Sequence, residues 1–520
     1  MLVRYAIEVG KLTFTQVYID AYNSTDSLTA KQLKENVRKL ICGLQTLGLK
    51  PGDSVCVHSF NHIWYPVLYL GIIGAGGVFV GSNPAYTARE LTRVLTVTKA
   101  KFILVQPELS QTLPDVAAAC KIPQSRILMI DLDSPDAHDS PTSLHALLQH
   151  GEADWIKFDN EETAKRTTAA LLWTSGTSGV PKAAAMSHYG LVAQSVISEW
   201  HGRRVPYKVR RLLPLPLFHS FILPFNISPL REGHQTYIMK RFNRDDYVDF
   251  VKQFQINTIP VVPPIALAVF GQIRPNDSSL TSLREIVCAG APLGGEVQTN
   301  LARSLHEDAR FVQLWGMTET GWLAAYTYPE RGEFGSVGRL VPNTKVKAID
   351  RNGAEVRGSG GNQLGELYIQ GPGTMSYYIN EGGSTENDFE DGWFRTGDIG
   401  YQKQGQWYIV DRAKDLIKVR GWSVSPAEIE ACLLEHPGIK DAAVIGIKTK
   451  DGTEELPRAF IVKAKDVEPI TEQMVKEHVQ KHLAKFKALD GGVQFVDTIP
   501  RTVSGKILRR VMRDMAREEI

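Results

Sequence analysis

Four short segments carry residue types that could handle phosphate, a purine base, ribose hydroxyls and Mg²⁺. Residues 174–182 read TSGTSGVPK, six of the nine being Ser, Thr or Gly, and follow the apolar Leu171-Leu172-Trp173. Glycines let backbone N–H groups turn inward, hydroxyls add donors and Lys182 adds a cation, which together make a cradle for phosphate. The Walker pattern is absent, because Lys182 follows a proline instead of a glycine; a flexible loop is the plain alternative. At 313–319 (QLWGMTE), the flat ring of Trp315 beside Gly316 can stack on a base, Thr318 offers a hydroxyl, and Glu319 is a hard-oxygen ligand suited to Mg²⁺. Alone, an aromatic before glycine also fits a core. Thr396-Gly397-Asp398 puts a carboxylate on a glycine turn, where it could bind ribose hydroxyls. Downstream, DRAKDLIKVRG places Arg412, Lys414, Lys418 and Arg420 within nine residues, which in isolation reads as a solvated basic hairpin. The fourth segment, 500–506 (PRTVSGK), sets Lys506 on a loop before a helix expected over 507–516.

The elements that must position these segments follow from hydrophobic period. Over 28–49, Leu33, Val37, Leu40, Ile41, Leu44 and Leu47 recur at helical spacing, with Gly48 as a stop. The run 54–59 (SVCVHS) reads as a strand, 90–99 as a helix and 102–105 as another strand. Strands separated by helices of this length require crossovers and hence a largely parallel sheet. A second alternating block covers about 190–340, and the acidic Ser/Pro-rich stretch 131–143 between the blocks reads as a surface loop. After Gly335 short β segments with glycine turns suggest a small β unit. Beyond 411–414 helix and strand patterns alternate on a smaller scale. The expected class is α/β: a large N-terminal body (1–411) of two similar α/β subdomains plus the small β unit, and a mobile α+β C-terminal lid (412–520).

Composition narrows the partners. The 520 residues are 43% hydrophobic and 22% charged, which excludes a disordered or disulfide-stapled chain. A formal charge of +2 gives little attraction for nucleic acid, so the arginines at 509, 510, 513 and 517 read as a solvated helix face. Five scattered cysteines without a CxxC pair fit a reducing, cytoplasmic compartment. The uncharged stretch 63–80 is long enough to suggest a membrane span, but it carries Pro66 and four glycines. It reads better as a buried helix through about Ile73 followed by a strand.

Taken in order, TSGTSGVPK, WGMTE, TGD, DR-x-K and PRTVSGK resemble the motifs of the adenylate-forming superfamily: acyl-CoA synthetases, luciferases and stand-alone adenylation domains. The resemblance runs from about residue 25 to about 512 and is nearest the 4-coumarate–CoA ligase-like branch. It implies an ATP-dependent acid–CoA ligase that uses Mg²⁺ and coenzyme A and forms an acyl-adenylate, releasing AMP and pyrophosphate. It also implies roles. Thr174, Ser175, Gly176, Thr177, Ser178, Gly179 and Lys182 would hold the β- and γ-phosphates. Trp315 and Gly316 would flank adenine with Gln313 nearby and Gly290-Ala291-Pro292 on the other face. Thr318 would touch the α-phosphate, Glu319 would hold Mg²⁺, and Asp398 and Arg412 would take the ribose. Lys506 would bridge carboxylate and α-phosphate, Lys414 would sit at the hinge, and Lys418, Arg420 and Gly421 would form the thioester-forming face. His219 would line the acid pocket, which Phe221, Cys288, Ala289 and Leu314 would shape.

The chain departs from the superfamily's usual pattern at several places. Ala183 stands for a glycine after the loop lysine, Cys288-Ala289 for Ser-Gly, Leu314 for glycine, Trp315 for Tyr and Arg420 for lysine. None removes a charge that catalysis needs. Phe221 stands where plant coumarate ligases carry Tyr, which disfavours a phenolic substrate and leaves an apolar aryl or a medium-to-long aliphatic acid. Two other acceptors for the adenylate go with the same fold: an acyl-carrier domain in place of coenzyme A, or O₂ in a luciferase-like oxygenase. Ligases of this texture often serve secondary metabolism.

Overall fold

The computed structural model describes residues 1–7, 16–131, 142–158, 160–174, 182–202, 205–270, 280–291, 293, 298–299, 305, 307–350, 352–356, 363–385, 389–419, 422–449, 454–464, 468–502 and 505–518. Two large sheets dominate. In the first, Val78–Ser82, Ser54–His58, Ala100–Val105 and Ile127–Met129 run parallel beside Thr168–Thr174. Lys182–Ser187 then returns antiparallel, followed by Tyr377–Asn380 and Gly383–Thr385. In the second, Arg310–Gln313, Glu285–Cys288, Thr258–Val261, Arg210–Leu213 and Gln235–Ile238 are parallel, and Gln16–Asp20 and Ser27–Thr29 complete the edge. Each sheet therefore borrows strands from far along the chain. Local period reveals strands such as Ser54–His58 but cannot say which sheet each joins.

The helices follow the expected logic with trimmed ends. Ala30–Thr46 is opened by a reciprocal cap between Thr29 and Gln32 and buries Leu33, Val37, Leu40, Ile41 and Leu44. Tyr65–Gly74 is buried on every side and is followed by the strand Val78–Ser82, which explains its uniformly apolar sequence. Among the described residues no helix is long and apolar enough to cross a membrane. Of the acidic stretch 131–143, residues 132–141 lie outside the described residues.

Beyond the two sheets, Trp315–Met317, Gly321–Ala325 and Arg339–Leu340 form a three-stranded sheet. Trp393–Lys403 pairs with both Gly365–Gln370 and Gln406–Arg412 in another sheet. The β texture thus begins some twenty residues before Gly335. The C-terminal residues build cores of their own: Ile417, Val424, Ile429, Leu433, Val444 and Ile461 pack in one cluster, and Ile445, Phe460 and Met512 in a second.

The last helix, Arg509–Glu518, starts two residues later than expected. Its first arginine is not on a solvated face: Arg509 forks onto Glu430 and donates to the Val444 carbonyl at 3.0 Å, so it docks the helix on the lid sheet.

Gly81 shows how tightly the sheet seats the site. A Cβ there would lie 2.3 Å from the Cβ of Phe218, the residue before His219. Gly81→Ala is expected to cost about 1–3 kcal/mol through overpacking, read as a lower thermal unfolding midpoint. The displaced Phe218 should also raise KM for the acid.

Candidate functional site

The parallel strands of the second sheet end where the motifs gather, which is where α/β sheets bind ligands. Cys288 and Gln313 are register partners at those carboxyl ends. Gly290, with φ of +95°, and Ala291 follow the first of them. Gln313 is buried, accepting from the Leu293 N–H at 2.9 Å and donating to its carbonyl at 3.1 Å. In the first sheet, Thr174 and Lys182 are register partners at the ends of two antiparallel strands. Ser175, Gly176, Thr177, Ser178 and Gly179 lie outside the described residues, as do Pro292, Arg420 and Gly421.

Asp398 is the node of the site. It is 5% exposed and stands opposite Arg412 in the register of Trp393–Lys403 and Gln406–Arg412. Arg412 Nε lies 3.0 Å from Asp398 Oδ1, and Trp315 Nε1 donates to Asp398 Oδ2 at 2.8 Å. Trp315, with Gly316 beside it in the same strand, is thereby fixed in plane by its own N–H. The basic segment after Asp411 is therefore no free hairpin at its start. Its turn is tied back by the Ala413 N–H donating to the Gly397 carbonyl at 2.8 Å.

A second chain of contacts was not visible in the sequence. The Lys182 ammonium sits 4.7 Å from the ring centre of Tyr378, whose hydroxyl donates to Glu319 Oε1 at 2.6 Å. Tyr378 thus connects the end of the phosphate-type loop to the carboxylate expected to hold Mg²⁺. It enters through the register Tyr378↔Ala184, a pairing across nearly two hundred residues. Glu319 is 7% exposed, and one buried carboxylate suits Mg²⁺, which takes few protein ligands and completes its shell with phosphates and water. Ala183, the departure beside Lys182, is fully buried against Trp173 and Ile379 and fills core space.

Lys506 and His219 meet in the cleft. The neighbouring Gly505, at φ +80°, is pressed against the body: a Cβ there would approach Val262 and Pro264 to 3.0 Å. Burial, then the nearby cations Arg412 and Lys414, push the Lys506 ammonium down to about 8, with Asp398 and Asp415 pulling the other way. Burial and then Lys506 push His219 down to about 4, so its ring is neutral at pH 7. The Phe221 N–H donates to His219 Nδ1 at 3.3 Å, which leaves the ring proton on Nε2. Ser220 Oγ donates to Thr318 Oγ1 at 3.5 Å, joining the histidine segment to the WGMTE segment.

Three aromatic rings pack together beside the segment that carries His219. Trp322 packs against Phe221 and Phe225 with ring centres 6.2 and 6.0 Å apart, and its indole N–H donates to the Phe221 carbonyl at 3.2 Å. Trp322 and Phe225 carry no motif, and only their place beside Phe221 reveals them. Behind them is a cavity of about 20 Å³ lined by His201, Arg211, Thr258 and Glu285 as well. Burial raises the Glu285 carboxyl, but His201 and Arg310 outweigh it and hold it near 2. Cys288, Ala289 and Leu314 are all buried, and the Leu314 N–H donates to the Cys288 carbonyl at 2.9 Å. Burial pushes the Cys288 thiol up, so it is a packing residue and not a nucleophile.

Lys418 stands apart from this cluster. Its side chain is exposed on the strand Ile417–Val419, and its backbone N–H donates to Glu455 Oε2 at 2.9 Å.

The described motif residues thus converge on one cleft, with Trp315 tied to Asp398, Asp398 to Arg412, and Lys182 and Glu319 joined through Tyr378. Residues 13–379 match the model of the AMP-binding enzyme family, and 428–506 match that of the AMP-binding enzyme C-terminal domain. The chain is 41% identical over 526 residues to the phenylacetyl-CoA ligase epaB of Aspergillus niger, covering 99% of this chain and 96% of that one. It is 38% identical over 549 residues to the nicotinic acid-CoA ligase pyr1 of Aspergillus fumigatus, covering 96% and 93%. Among solved structures, ATP-bound MatB from Rhodopseudomonas palustris superposes with a TM-score of 0.87 at 26% identity, covering 100% of this chain and 99% of that one. The chain belongs to the AMP-binding enzyme family and is an adenylate-forming acid–thiol ligase.

The His219–Lys506 coupling is measurable. In histidine-labelled protein, NMR titration should find His219 neutral down to about pH 4. Lys506→Gln should move that value upward, because it removes the nearby cation; an unchanged value would mean that Lys506 does not enter the cleft.

Proposed function

We propose that this ligase activates a small aryl carboxylic acid and passes the acyl group to coenzyme A. Acid–CoA ligation through an acyl-adenylate is its activity; the aryl preference, the roles of the residues and the use of Mg²⁺ are the proposal. The observation that carries the preference is the Trp322–Phe221–Phe225 wall, which offers flat apolar faces and ends in a charged, nearly filled cavity. A planar ring stacks well there, whereas a long alkyl chain would have to enter a space lined by Arg211 and Glu285. The two fungal relatives, named for phenylacetic and nicotinic acids, support the same class.

The chemistry makes specific demands on the chain. A carboxylate oxygen attacks the α-phosphorus of ATP, a new O–P bond forms, and the bond to the β-phosphate breaks to release pyrophosphate. Two anions must meet, so the site has to neutralise charge before it gains anything from proximity. Lys506 approaches the carboxylate and α-phosphate, Thr318 donates to the α-phosphate, and Lys182 and the glycine-rich segment hold the outer phosphates. Trp315, Asp398 and Arg412 fix adenine and ribose, and Glu319, oriented by Tyr378, is the residue that would hold Mg²⁺. The metal supplies charge neutralisation on the phosphates. His219, neutral and carrying its proton on Nε2, donates a hydrogen bond without adding a second cation beside Lys506.

In the second half-reaction the thiol sulfur bonds to the acyl carbon, the acyl–phosphate bond breaks, AMP leaves, and the thiol proton passes to solvent. The lid, which we place from residue 412 onward, turns about Lys414 and replaces Lys506 with the face carrying Lys418, Arg420 and Gly421. Five scattered cysteines without a CxxC pair support a reducing, cytoplasmic setting for this work.

Acid-dependent ATP–pyrophosphate exchange with benzoate, phenylacetate and nicotinate, weak exchange with medium- and long-chain fatty acids, and acyl-CoA by mass spectrometry are the expected results. Exchange that stalls at acyl-AMP with coenzyme A, yet loads a pantetheinylated carrier protein, would replace the acceptor. Trp322→Ala should shift the preference toward longer acids by about 10–100-fold in kcat/KM.

The charged form of Lys506 is the useful one, and it is lost as pH rises through about 8. The exchange kcat/KM should therefore be level below that pH and fall above it, since this parameter reports the free enzyme. Lys506→Arg should lose most of the rate but also lose the falling limb, because guanidinium stays charged.

A further inference from the structure

Away from the cleft, the lid brings a thiol and two imidazoles together on two packed helices. Cys432 lies on Pro426–Leu434, and His478 and His482 lie one turn apart on Glu472–His482. The Cys432 Sγ and one ring nitrogen of each histidine all fall within 4.8 Å of one another. The two imidazole rings are 4.5 Å apart between centres, too close to be independent surface side chains. We propose that Cys432, His478 and His482 form a binding site for a borderline-soft divalent transition ion of the zinc class.

Donor type and presentation point the same way. One sulfur and two ring nitrogens form a set that zinc accepts, whereas Mg²⁺ and Ca²⁺ prefer oxygen. Spacing of four on one helix puts both histidines on one face, and the facing helix supplies the sulfur. Both rings already hold the backbone contacts that orient metal-binding imidazoles. His482 Nδ1 lies 2.8 Å from the His478 carbonyl, and His478 Nε2 lies 2.9 Å from the Cys432 carbonyl. His436, 5.1 Å from His478 between ring centres, is engaged otherwise, its Nδ1 accepting from the Gly438 N–H at 3.0 Å. The fourth position therefore falls to water, which exposed His482 admits. On binding, the Cys432 thiol gives its proton to solvent as the sulfur–metal bond forms.

The consequence is local. Cys432 packs in the same lid cluster as Ile429, Leu433, Val475 and Val479, so an ion there would clip two helices of one body and travel with it. None of its ligands belongs to the adenylation or thioester-forming faces. The site's effect should appear in the stability of the lid and leave acid activation at its ordinary rate.

The test uses the full chain without a histidine tag, stripped with chelator and titrated with Co²⁺ and then Zn²⁺. One equivalent of cobalt at micromolar concentration should give a thiolate-to-metal charge-transfer band, zinc should bleach it, and zinc should raise the unfolding midpoint. His482→Ala, an exposed change, should weaken cobalt binding at least about tenfold. Cys432→Ser should remove the band, while Cys42→Ser should keep it. Absence of the band at micromolar cobalt, its survival in Cys432→Ser, or undiminished affinity in His482→Ala would overturn the proposal.

Discussion

Everything in the cleft hangs on one buried carboxylate, Asp398. Its two oxygens are spent on different elements, one on Arg412 and one on the indole N–H of Trp315. That single side chain fixes the edge of the three-stranded sheet against the sheet that leads into the lid. A buried charge left unpaired would be costly, so each partner is needed for the others to stay in place. The orientation of the Trp315 ring and the position of the strand end at Arg412 are therefore set by the same group.

A second buried ionic group does comparable work behind Trp322 and Phe225. Glu285 pairs with Arg310 and lies 3.4 Å from His201 Nε2, while Arg211 stacks on Phe225 with its guanidinium carbon 4.2 Å from the ring centre. Trp322 stands edge-on to His201. The aromatic wall is thus backed by fixed charges as well as by the aliphatic side chains of Val205, Val209 and Val287. A wall supported this way resists yielding to a longer substrate, because yielding would expose unpaired ions to an apolar chain.

The sequence disclosed what local rules govern and concealed what long-range pairing decides. The helices Ala30–Thr46 and Ala88–Val97 were legible because apolar period and capping both act within a few residues, as at Thr29–Gln32, whereas the short helix Leu2–Ile7 was not. The motif residues Trp315, Asp398, Arg412 and Lys506 were legible because their chemistry and order resemble a known family. Tyr378 was not, since its role depends on pairing with Ala184 across the whole middle of the chain. Trp322 and Phe225 look like ordinary core aromatics until they are seen beside Phe221. Arg509 reads as a surface cation by composition, yet its partner Glu430 lies on another helix. The cysteine and histidines of the lid are scattered single residues until two helices pack.

Lys506 also bears on the order of events. In the pose described, its ammonium is drawn out of water beside Arg412 and Lys414, and all three are cations. That arrangement is electrostatically uphill for the protein alone, which is why the lysine loses its proton more readily than usual. A triphosphate in the cleft would add anionic charge to what Asp398 and Asp415 already supply, at short range and low dielectric, and so offset that cost. When pyrophosphate departs, much of that compensation departs with it. On the proposed mechanism Lys506 would then gain by returning to water, which would release the lid when its other face is needed. On this reading the ordering of the two half-reactions requires no separate signal: the charge lost in the first step is itself the change that frees the lid for the second.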